Sequence, residues 1–202
     1  MSAKFLVISD FHGSMKSLNK VKAAYHKYEP DFSVMCGDIT HFGTIEEAVK
    51  ILERIPTDVI GVTGNCDSGG IEHAFEDVGG KYIELKKVDK NGYSFIGLSG
   101  SNYSEEKVDV FKERAKDVDI YVFHQPPYGI LDEASRGKHI GHKKLLGVVK
   151  ENGPRLVLSG HVHEDRGKRE QDGIIFMNPG PAGDGKLGLV DISAEKIDAK
   201  LI

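Results

Sequence analysis

Short apolar runs recur along the chain, separated by segments of mixed polarity. Five of these runs are rich in β-branched residues and are bounded by glycine, proline or polar residues, a pattern typical of β-strands. They cover residues 4–9, 32–36, 58–63, 120–123 and 155–159.

The segments between the first three runs have helical spacing. Apolar side chains recur at Leu18, Val21 and Tyr25, and Thr44 stands three residues before Glu47, which is a capping-box pattern for a helix start. The order strand, helix, strand, helix, strand predicts a parallel sheet with right-handed crossovers in the first half of the chain.

The second half of the chain has a different pattern. Residues 81–88 and 93–99 flank an Asn91-Gly92 turn and are predicted to pair as a hairpin. A parallel half followed by a more antiparallel half favours an α/β fold of two mixed β-sheets packed face to face, with helices outside. The other predicted elements are helices over 104–116 and 142–152, a hairpin turning at Asp172-Gly173, and strands over 187–192 and 199–202.

Length and charge narrow the possible classes of protein. The 202 residues suffice for one domain with a substantial core, and we expect residues 1–202 to form it. The net charge of −4 gives no basic field, so we expect neither a nucleic-acid partner nor a membrane partner. No apolar run reaches membrane-spanning length and no tripartite leader precedes the first strand, so we expect a cytoplasmic protein. The two cysteines, Cys36 and Cys66, are too few for a disulfide framework, and the oligomeric state stays open.

Side chains that can bind metals follow directly after each of the five predicted strands. Asp10-Phe11-His12 and His161-Val162-His163 each carry two donors at i and i+2, a spacing that points both to the same side of extended backbone. Single donors follow the other three strands, at Asp38, Asn65 and His124. Because ligand sites in open α/β sheets lie beyond the carboxyl ends of the strands, we expect all seven side chains at one edge.

Each motif taken singly has an ordinary structural explanation, since Gly-Asp and Gly-Asn form turns and a lone histidine is more often structural than a ligand. Together they supply three carboxylate or amide oxygens and four imidazoles, which suit Mn, Fe, Zn, Ni or Co better than Ca or Mg. Seven ligands exceed the needs of one tetrahedral zinc, so two ions that share a carboxylate fit better. Because such a pair catalyses in-line displacement at phosphorus, the predicted reaction is phosphoester hydrolysis.

The ordered series D-x-H, G-D, G-N-x-D, H, G-H-x-H between residues 10 and 163 resembles that of the calcineurin-like metallophosphoesterase superfamily. The resemblance implies a four-layer α/β/β/α sandwich and two divalent transition-metal ions, with manganese as the first candidate. It further implies that a hydroxide bridging the two ions attacks phosphorus in line. One ion would be held by Asp10, His12, Asp38 and His163, and the other by Asp38, Asn65, His124 and His161, with Asp38 as the bridge.

Cys66 departs from the commonest form of the third motif. Many members of the superfamily have G-N-H-D or G-N-H-E there, and G-N-C-D resembles a branch of small stand-alone phosphodiesterases. A thiol with a reference pKa of about 8.5 is a poorer proton donor than an imidazolium, so we expect the metals to activate the leaving group. That expectation favours phosphodiesters or substrates with acidic leaving groups. The residues predicted to act in catalysis are Asn65, Cys66, Asp67 and His124, with Asp67 orienting its neighbours or forming a turn rather than binding metal.

Three further side chains are candidates for contact with the substrate. Residues 125–141 could form a lip over the metals, from which Arg136 or His139 would meet the substrate, and His41 lies three residues after Asp38. The alternative is a solvated loop that leads into the next helix. Asn178-Pro179-Gly180 predicts a late turn that brings backbone near the site.

Two other classes of function stay open, a non-catalytic metal-binding scaffold on the same fold and a nuclease. Every ligand position is filled, which counts against the scaffold, and the acidic balance without a basic cluster counts against the nuclease. A metallo-β-lactamase-like hydrolase would carry an H-x-H-x-D-H run, which this sequence lacks. We therefore predict a metal-dependent phosphodiesterase or phosphoesterase that acts on a small phosphoester.

Overall fold

The structure, a computed structural model, describes residues 2–202. Fourteen β-strands and five α-helices follow one another along this part of the chain. Their order is β1 (Ser2–Ile8), α1 (Leu18–Tyr28), β2 (Phe32–Cys36), α2 (Ile45–Leu52), β3 (Val59–Val62), α3 (His73–Asp77), β4 (Lys81–Tyr82), β5 (Val88–Lys90), β6 (Tyr93–Leu98), α4 (Glu105–Arg114), β7 (Ile120–Phe123), β8 (Glu133–Ala134), β9 (Lys138–His139), α5 (Lys143–Asn152), β10 (Leu156–Leu158), β11 (Gly167–Gln171), β12 (Ile174–Asn178), β13 (Gly188–Ser193) and β14 (Ile197–Leu201).

Twelve of the strands form two six-stranded sheets. The first sheet has the order β14-β13-β1-β2-β3-β4, the second has the order β11-β12-β10-β7-β6-β5, and β8 and β9 form a separate hairpin. Strands β1 to β4 run parallel to one another, and so do β6, β7, β10 and β12. The antiparallel pairs lie toward the sheet edges. Both sheets are therefore mixed, as the sequence predicts.

Three apolar clusters hold the layers together. The cluster between the sheets contains the buried rings of Phe5, Phe32 and Phe95, whose centroids lie 5.0 to 5.9 Å apart. A second cluster packs α1, α2 and α3 onto the outer face of the first sheet, and a third packs α4 and α5 onto the second sheet. The four-layer α/β/β/α sandwich is confirmed.

The helix boundaries follow from local capping. The Thr44 hydroxyl accepts a hydrogen bond from the backbone N–H of Glu47 at 3.3 Å, so α2 begins where the capping-box pattern places it. Ser104 caps α4 in the same way, through the N–H of Lys107. Helix α5 ends at Gly153, which adopts the left-handed conformation with φ of 61°.

The predicted hairpin over residues 81–88 and 93–99 is only partly right. Strand β5 pairs with β6 across Asn91 and Gly92, which both have positive φ as such a turn requires. Lys81 and Tyr82, however, extend the first sheet alongside β3. The chain crosses from one sheet to the other between β4 and β5, and a strand pattern does not say which sheet a strand joins.

The sheets bring five loops to the same edge of the molecule. Strands β1, β2 and β3 of the first sheet and β7 and β10 of the second end there, and each is followed by predicted metal-binding side chains. In residues 2–202 no α-helix combines the length and the apolarity needed to cross a bilayer.

Candidate metal centre

The loops after β1 and β2 are joined by a ladder of backbone hydrogen bonds. The N–H groups of Asp10, His12 and Gly13 donate to the carbonyl oxygens of Gly37, Asp38 and Ile39, each at 3.0 Å. This pairing extends the parallel contact beyond the strands themselves. It fixes the side chains of Asp10, His12 and Asp38 beside one another.

The loop after β10 joins the first sheet to the second. The N–H of His161 donates to both carboxylate oxygens of Asp10, at 3.1 and 3.3 Å, and the N–H of Gly160 donates to the carbonyl of His124 at 3.0 Å. The second sheet therefore contributes His124, His161 and His163 to the same place. The seven predicted ligands come from both sheets.

Several of these residues have backbone conformations that most residues avoid. Asp10, His12, Asp38 and His161 all have positive φ, between 47° and 68°. Asp and His are among the side chains that tolerate this region best, yet a left-handed non-glycine residue still costs of order 1 to 3 kcal/mol. Gly37, with φ of 94°, precedes Asp38, and a Cβ there would lie 2.6 Å from Nδ1 of His124. Only glycine lets the two loops approach this closely.

The ligand atoms form two overlapping groups, each within 4.8 Å. One group comprises Asp10, His12 and His163, and the other comprises Asp10, Asp38 and His124. In the first group Nε2 of His163 lies 3.3 Å from Nε2 of His12 and 3.4 Å from Oδ1 of Asp10. Two imidazole nitrogens therefore face each other beside a carboxylate. A metal cation could accept a lone pair from each of these atoms.

Asp38 lies between the two groups. Its Oδ2 is 3.7 Å from Nε2 of His12 and 3.6 Å from Nε2 of His124. Its Oδ1 accepts a hydrogen bond of 2.7 Å from the backbone N–H of Cys66, which fixes the carboxylate in place. The position of Asp38 suits a carboxylate that would contact two cations at once.

The tautomer of His124 also fits a metal ligand. Its Nδ1 lies 2.9 Å from the carbonyl oxygen of Cys36, and because a carbonyl only accepts, Nδ1 carries the hydrogen. In neutral His124 the Nε2 lone pair then faces Oδ1 of Asn65 at 2.8 Å. Two acceptors at this distance need a proton or a cation between them. The donor set present in this chain fits divalent metal ions.

The electrostatics of the cluster agree with that donor set. Burial raises the pKa of Asp10, but hydrogen bonding with His163 and the charge of His124 outweigh it and bring the pKa below its ordinary value. Burial, and then the neighbouring His124, lower the pKa of His161 to about 4, so that ring is neutral at neutral pH. The hydrogen bond with Asp10 raises the pKa of His163. A proton and a metal ion would therefore compete for His163.

The buried carboxylates of the cluster are not neutralised by basic side chains. Asp10 and Asp38 are almost fully buried, and within residues 2–202 their ion-pair partners are histidines alone. Buried charge is costly unless it is paired, and no lysine or arginine of this part of the chain pairs with it. A cation bound from solution would balance the negative charge of this cluster.

The two remaining predicted ligands, His161 and Asn65, both contact His124. The His161 ring packs edge-on against the His124 ring, with centroids 5.0 Å apart, but its nitrogens do not belong to the two close groups. Asn65 is exposed, but its Oδ1 lies 2.8 Å from Nε2 of His124, and its amide nitrogen contacts the sulfur of Cys66 at 3.3 Å. The structure thus brings six of the predicted ligands into close contact and places His161 beside them.

Asp67 does not belong to the close groups of ligand atoms and supports the loops instead. Its carboxylate accepts hydrogen bonds from the N–H groups of Gly64, Ile39 and Thr40, at 2.8 to 3.2 Å. Burial raises its pKa despite these bonds. Asp67 thereby fixes the loops that carry Asp38 and Asn65, and a role in catalysis stays a prediction.

The predicted substrate-contacting residues occupy two places. His41 is exposed, and a nitrogen of its ring lies within 4.8 Å of donor atoms of His12 and Cys66. Arg136 and His139 lie on the exposed hairpin formed by β8 and β9, with Arg136 near its tip. Hydrogen bonds from the N–H of Glu133 to Asp165 and from Ser135 to Glu164 attach this hairpin to the turn that begins at His163. Residues 133–139, which these bonds place next to the turn that begins at His163, are called the lip.

Sequence reasoning missed two buried residues that support the site. Asp132 is fully buried and accepts hydrogen bonds from Nδ1 of His139 at 2.6 Å and from the N–H of Gly141 at 3.0 Å. Asn178 is fully buried and donates to the carbonyls of Val162 and Asp165, which holds the turn that carries His163. The apolar neighbours of Asp132 were a possible signal, whereas the Asn178 motif predicted a turn but no side-chain role.

Comparison with known proteins assigns this chain to a protein family. Residues 3–165 match the family model described as calcineurin-like phosphoesterase. The chain belongs to the calcineurin-like phosphoesterase family. The resemblance stated from the motifs is thereby confirmed, and family membership supports a metal-dependent hydrolase of phosphoesters.

A relative in sequence and two solved structures match most of the length of the chain. The protein MJ1162 of Methanocaldococcus jannaschii is 28% identical over 203 residues, which cover 88% of each of the two chains. The crystal structure of TT1561 from Thermus thermophilus has a TM-score of 0.72 at 18% identity, over 99% of both chains. A structure described as that of a novel archaeal phosphodiesterase has a TM-score of 0.64 at 16% identity, over 98% of this chain and 99% of the other. The two structural likenesses show the shared fold.

The first prediction concerns the charge at Asp38. Adding Mn²⁺ is expected to raise the thermal unfolding midpoint, because an ion at about 100 times its Kd stabilises the folded state by about 2.7 kcal/mol. Asp38→Asn should lose most of this shift. Without metal, its unfolding midpoint should be no lower than that of wild type, because the substitution removes one uncompensated buried charge. Asp191→Asn, at an exposed position, is the control. An undiminished manganese shift in Asp38→Asn would contradict this role.

The second prediction concerns the lip. The hydrogen bond with Asp132 raises the pKa of His139 above its ordinary value, so His139 stabilises the fold at pH below about 6.5. That stabilisation should fade as pH rises through the raised pKa. The difference in unfolding free energy between wild type and His139→Gln, measured with urea, should therefore be larger at about pH 6 than at about pH 9. His139 would lack this role if the difference in unfolding free energy between wild type and His139→Gln were the same at both pH values. It would also lack the role if that difference equalled the one for the exposed control His73→Gln.

Proposed function

We propose that this chain is a dinuclear phosphodiesterase that hydrolyses small phosphodiesters. The observation that supports it most strongly is the close grouping of Asp10, His12, Asp38, His124 and His163 without basic side chains to neutralise them. Family membership supports a phosphoesterase, and one of the structures of similar fold is described as a phosphodiesterase. The preference for diesters and the use of two ions belong to the proposal.

The division of ligands in the proposal follows the family motifs. One ion would be held by Asp10, His12, Asp38 and His163, and the other by Asp38, Asn65, His124 and His161. When bound, two such ions side by side would lower the pKa of a water molecule between them and offset charge on the phosphoryl oxygens. The central position of Asp38, between His12 and His124, supports a bridging role.

The other side chains would prepare the site for the ester. The hydrogen bond from His124 to the carbonyl of Cys36 holds the ring with its other nitrogen toward the cluster. The exposed amide of Asn65 would contact both a cation and a substrate oxygen. The strained loops of Asp10 and Asp38 fix the carboxylates before the substrate arrives, so no ordering is needed during the reaction.

Cys66 bears on the choice of substrate. Burial, and then the charge of Asp38, raise the pKa of its thiol to about 12, so the thiol stays protonated and uncharged at neutral pH. A group of this pKa is a weak proton donor to a departing alkoxide. The proposal therefore favours diesters and good leaving groups, for which protonation matters least.

The lip would add positive charge beside the substrate. Arg136, Lys138 and His139 lie on the exposed hairpin, and Asp132 fixes the His139 ring. We propose that Arg136 and His139 contact the substrate outside the cluster, and that His41 contacts it from the other side. Arg136 and Lys138 would attract an anionic small molecule locally, whereas the chain as a whole carries a net charge of −4.

Metal identity, location and partners are parts of the same proposal. Manganese is the first candidate, and nickel, cobalt, iron and zinc suit the same donors. We propose a cytoplasmic domain over residues 1–202 that binds neither nucleic acid nor membrane. The alternative is a scaffold that binds metal without catalysis on the same fold.

A substrate panel separates the enzyme from the scaffold. The protein is assayed with cyclic nucleotides, dinucleotides, glycerophosphodiesters and phosphomonoesters, each with Mn, Ni, Co, Zn and Mg. We expect metal-dependent turnover of diesters that falls roughly a hundredfold or more in His124→Ala, as loss of a ligand would cause. Exposed His26→Ala is the control and should keep wild-type rates. Metal binding by calorimetry with no hydrolysis of any ester would establish the scaffold instead.

A further prediction concerns Cys66 itself. Replacing it by histidine, Cys66→His, places a better proton donor beside the leaving oxygen. General acid catalysis typically contributes about 10²- to 10⁴-fold, so rates on diesters with poor leaving groups should rise by roughly ten- to a hundredfold. Rates on diesters with acidic leaving groups should change little, because those groups leave without protonation. The readout is the slope of log kcat/KM against leaving-group pKa for a series of aryl diesters, with Cys66→Ser as the control. A slope that does not change in Cys66→His would disprove the role given to Cys66.

A further inference from the structure

An aromatic side chain stands exposed beside the metal cluster. Among residues 2–202 the exposed large apolar side chains are Met15, Phe42 and Val110, and Phe42 is the most open of them at 67%. Single apolar side chains at a surface are common and need no explanation. Phe42 differs from them in its backbone conformation and in its neighbours.

The backbone at Phe42 is strained. Its φ of 55° lies in the left-handed region, which is a genuine outlier for a bulky residue that is neither glycine, asparagine nor aspartate. The N–H of Phe42 donates to the carbonyl of Cys66 at 2.7 Å, and this bond holds the loop in place. Strain that the surrounding structure maintains is commonest at functional sites, where it presets a side chain.

A row of rings connects Phe42 to the cluster. The His41 ring meets the His12 ring edge-on with centroids 5.6 Å apart, and it meets the Phe42 ring edge-on at 5.1 Å. Both distances are those of favourable aromatic pairs. The Phe42 ring therefore lies two ring contacts from a predicted metal ligand and presents its exposed surface to solvent at the mouth of the site.

We propose that Phe42 is a stacking platform for a planar base on one arm of the phosphodiester, so that the preferred substrates are nucleoside phosphodiesters. This inference rests on the proposed function. A flat π surface stacks on any base without hydrogen-bond readout, which suits a side chain that has no polar group. The sugar of a nucleoside separates its base from the phosphate, as the His41 ring separates Phe42 from His12, whereas a ring bonded directly to the phosphate oxygen stays beside the cluster.

Two esters with the same leaving group test the platform on the metal-loaded protein. Thymidine 5′-(4-nitrophenyl) phosphate and methyl 4-nitrophenyl phosphate both release nitrophenolate, but only the first carries a base. Phe42→Ala should reduce kcat/KM for the thymidine ester about tenfold more than for the methyl ester, mainly through KM. Phe42→Trp should retain the preference, because tryptophan also stacks. Val110→Ala is the matched control, an exposed apolar residue on helix α4.

A binding measurement separates this inference from the catalytic proposal. Calorimetry with the manganese-loaded protein should show that wild type binds thymidine 5′-monophosphate more tightly than inorganic phosphate, and that Phe42→Ala loses this difference while Val110→Ala keeps it. Equal losses on both esters, or equal binding of the two anions by wild type, would overturn the platform. If wild type cleaves neither ester, the catalytic proposal fails, and the calorimetric comparison alone decides the role of Phe42.

Discussion

The site depends on two buried carboxylates that the chain itself does not neutralise. Asp10 and Asp38 lie where the parallel strands end, each held by backbone N–H groups and each facing histidines rather than lysine or arginine. Such a concentration of buried negative charge is unfavourable by itself. It is explained if divalent cations complete the site, because the same carboxylates then become the strongest contributors to binding.

Most of the surrounding structure keeps these carboxylates in place. The backbone ladder between residues 10–13 and 37–39 fixes their spacing, and Asp67 fixes the next loop through three N–H groups. Asn178 holds the turn that carries His163. Four of the predicted ligands have left-handed backbone conformations, which cost conformational free energy. The apolar packing on both sides of each sheet offsets this cost. Rigid placement before binding is what catalysis at a charged centre requires.

The sequence was informative wherever a local pattern sufficed. The strands at residues 4–9, 32–36 and 155–159 and the side chains after them were predictable, because strand periodicity and the i, i+2 spacing are local features. The helix start at Thr44 was predictable for the same reason. The hairpin pattern predicts that Lys81 and Tyr82 pair with the strand over residues 93–99, and this is wrong because the choice of partner strand depends on tertiary packing.

Some residues of the site could not be found from local pattern at all. Asp132 and Asn178 are buried polar residues whose partners lie in other loops, so their roles appear only when those loops meet. Phe42 carries no motif, and the role proposed for it rests on a φ angle and two ring contacts that the sequence does not reveal. The motifs therefore locate the predicted metal ligands, whereas the buried residues that support them are recognised only from the fold.

Anomalous diffraction from a crystal soaked in manganese tests the central claim most directly. Two peaks are expected, roughly 3.5 to 4 Å apart, with the Asp38 carboxylate between them and Asp10 and His124 on opposite sides. A single peak distant from Asp38, or no peak within reach of these side chains, would contradict the interpretation of the cluster as a dinuclear metal centre.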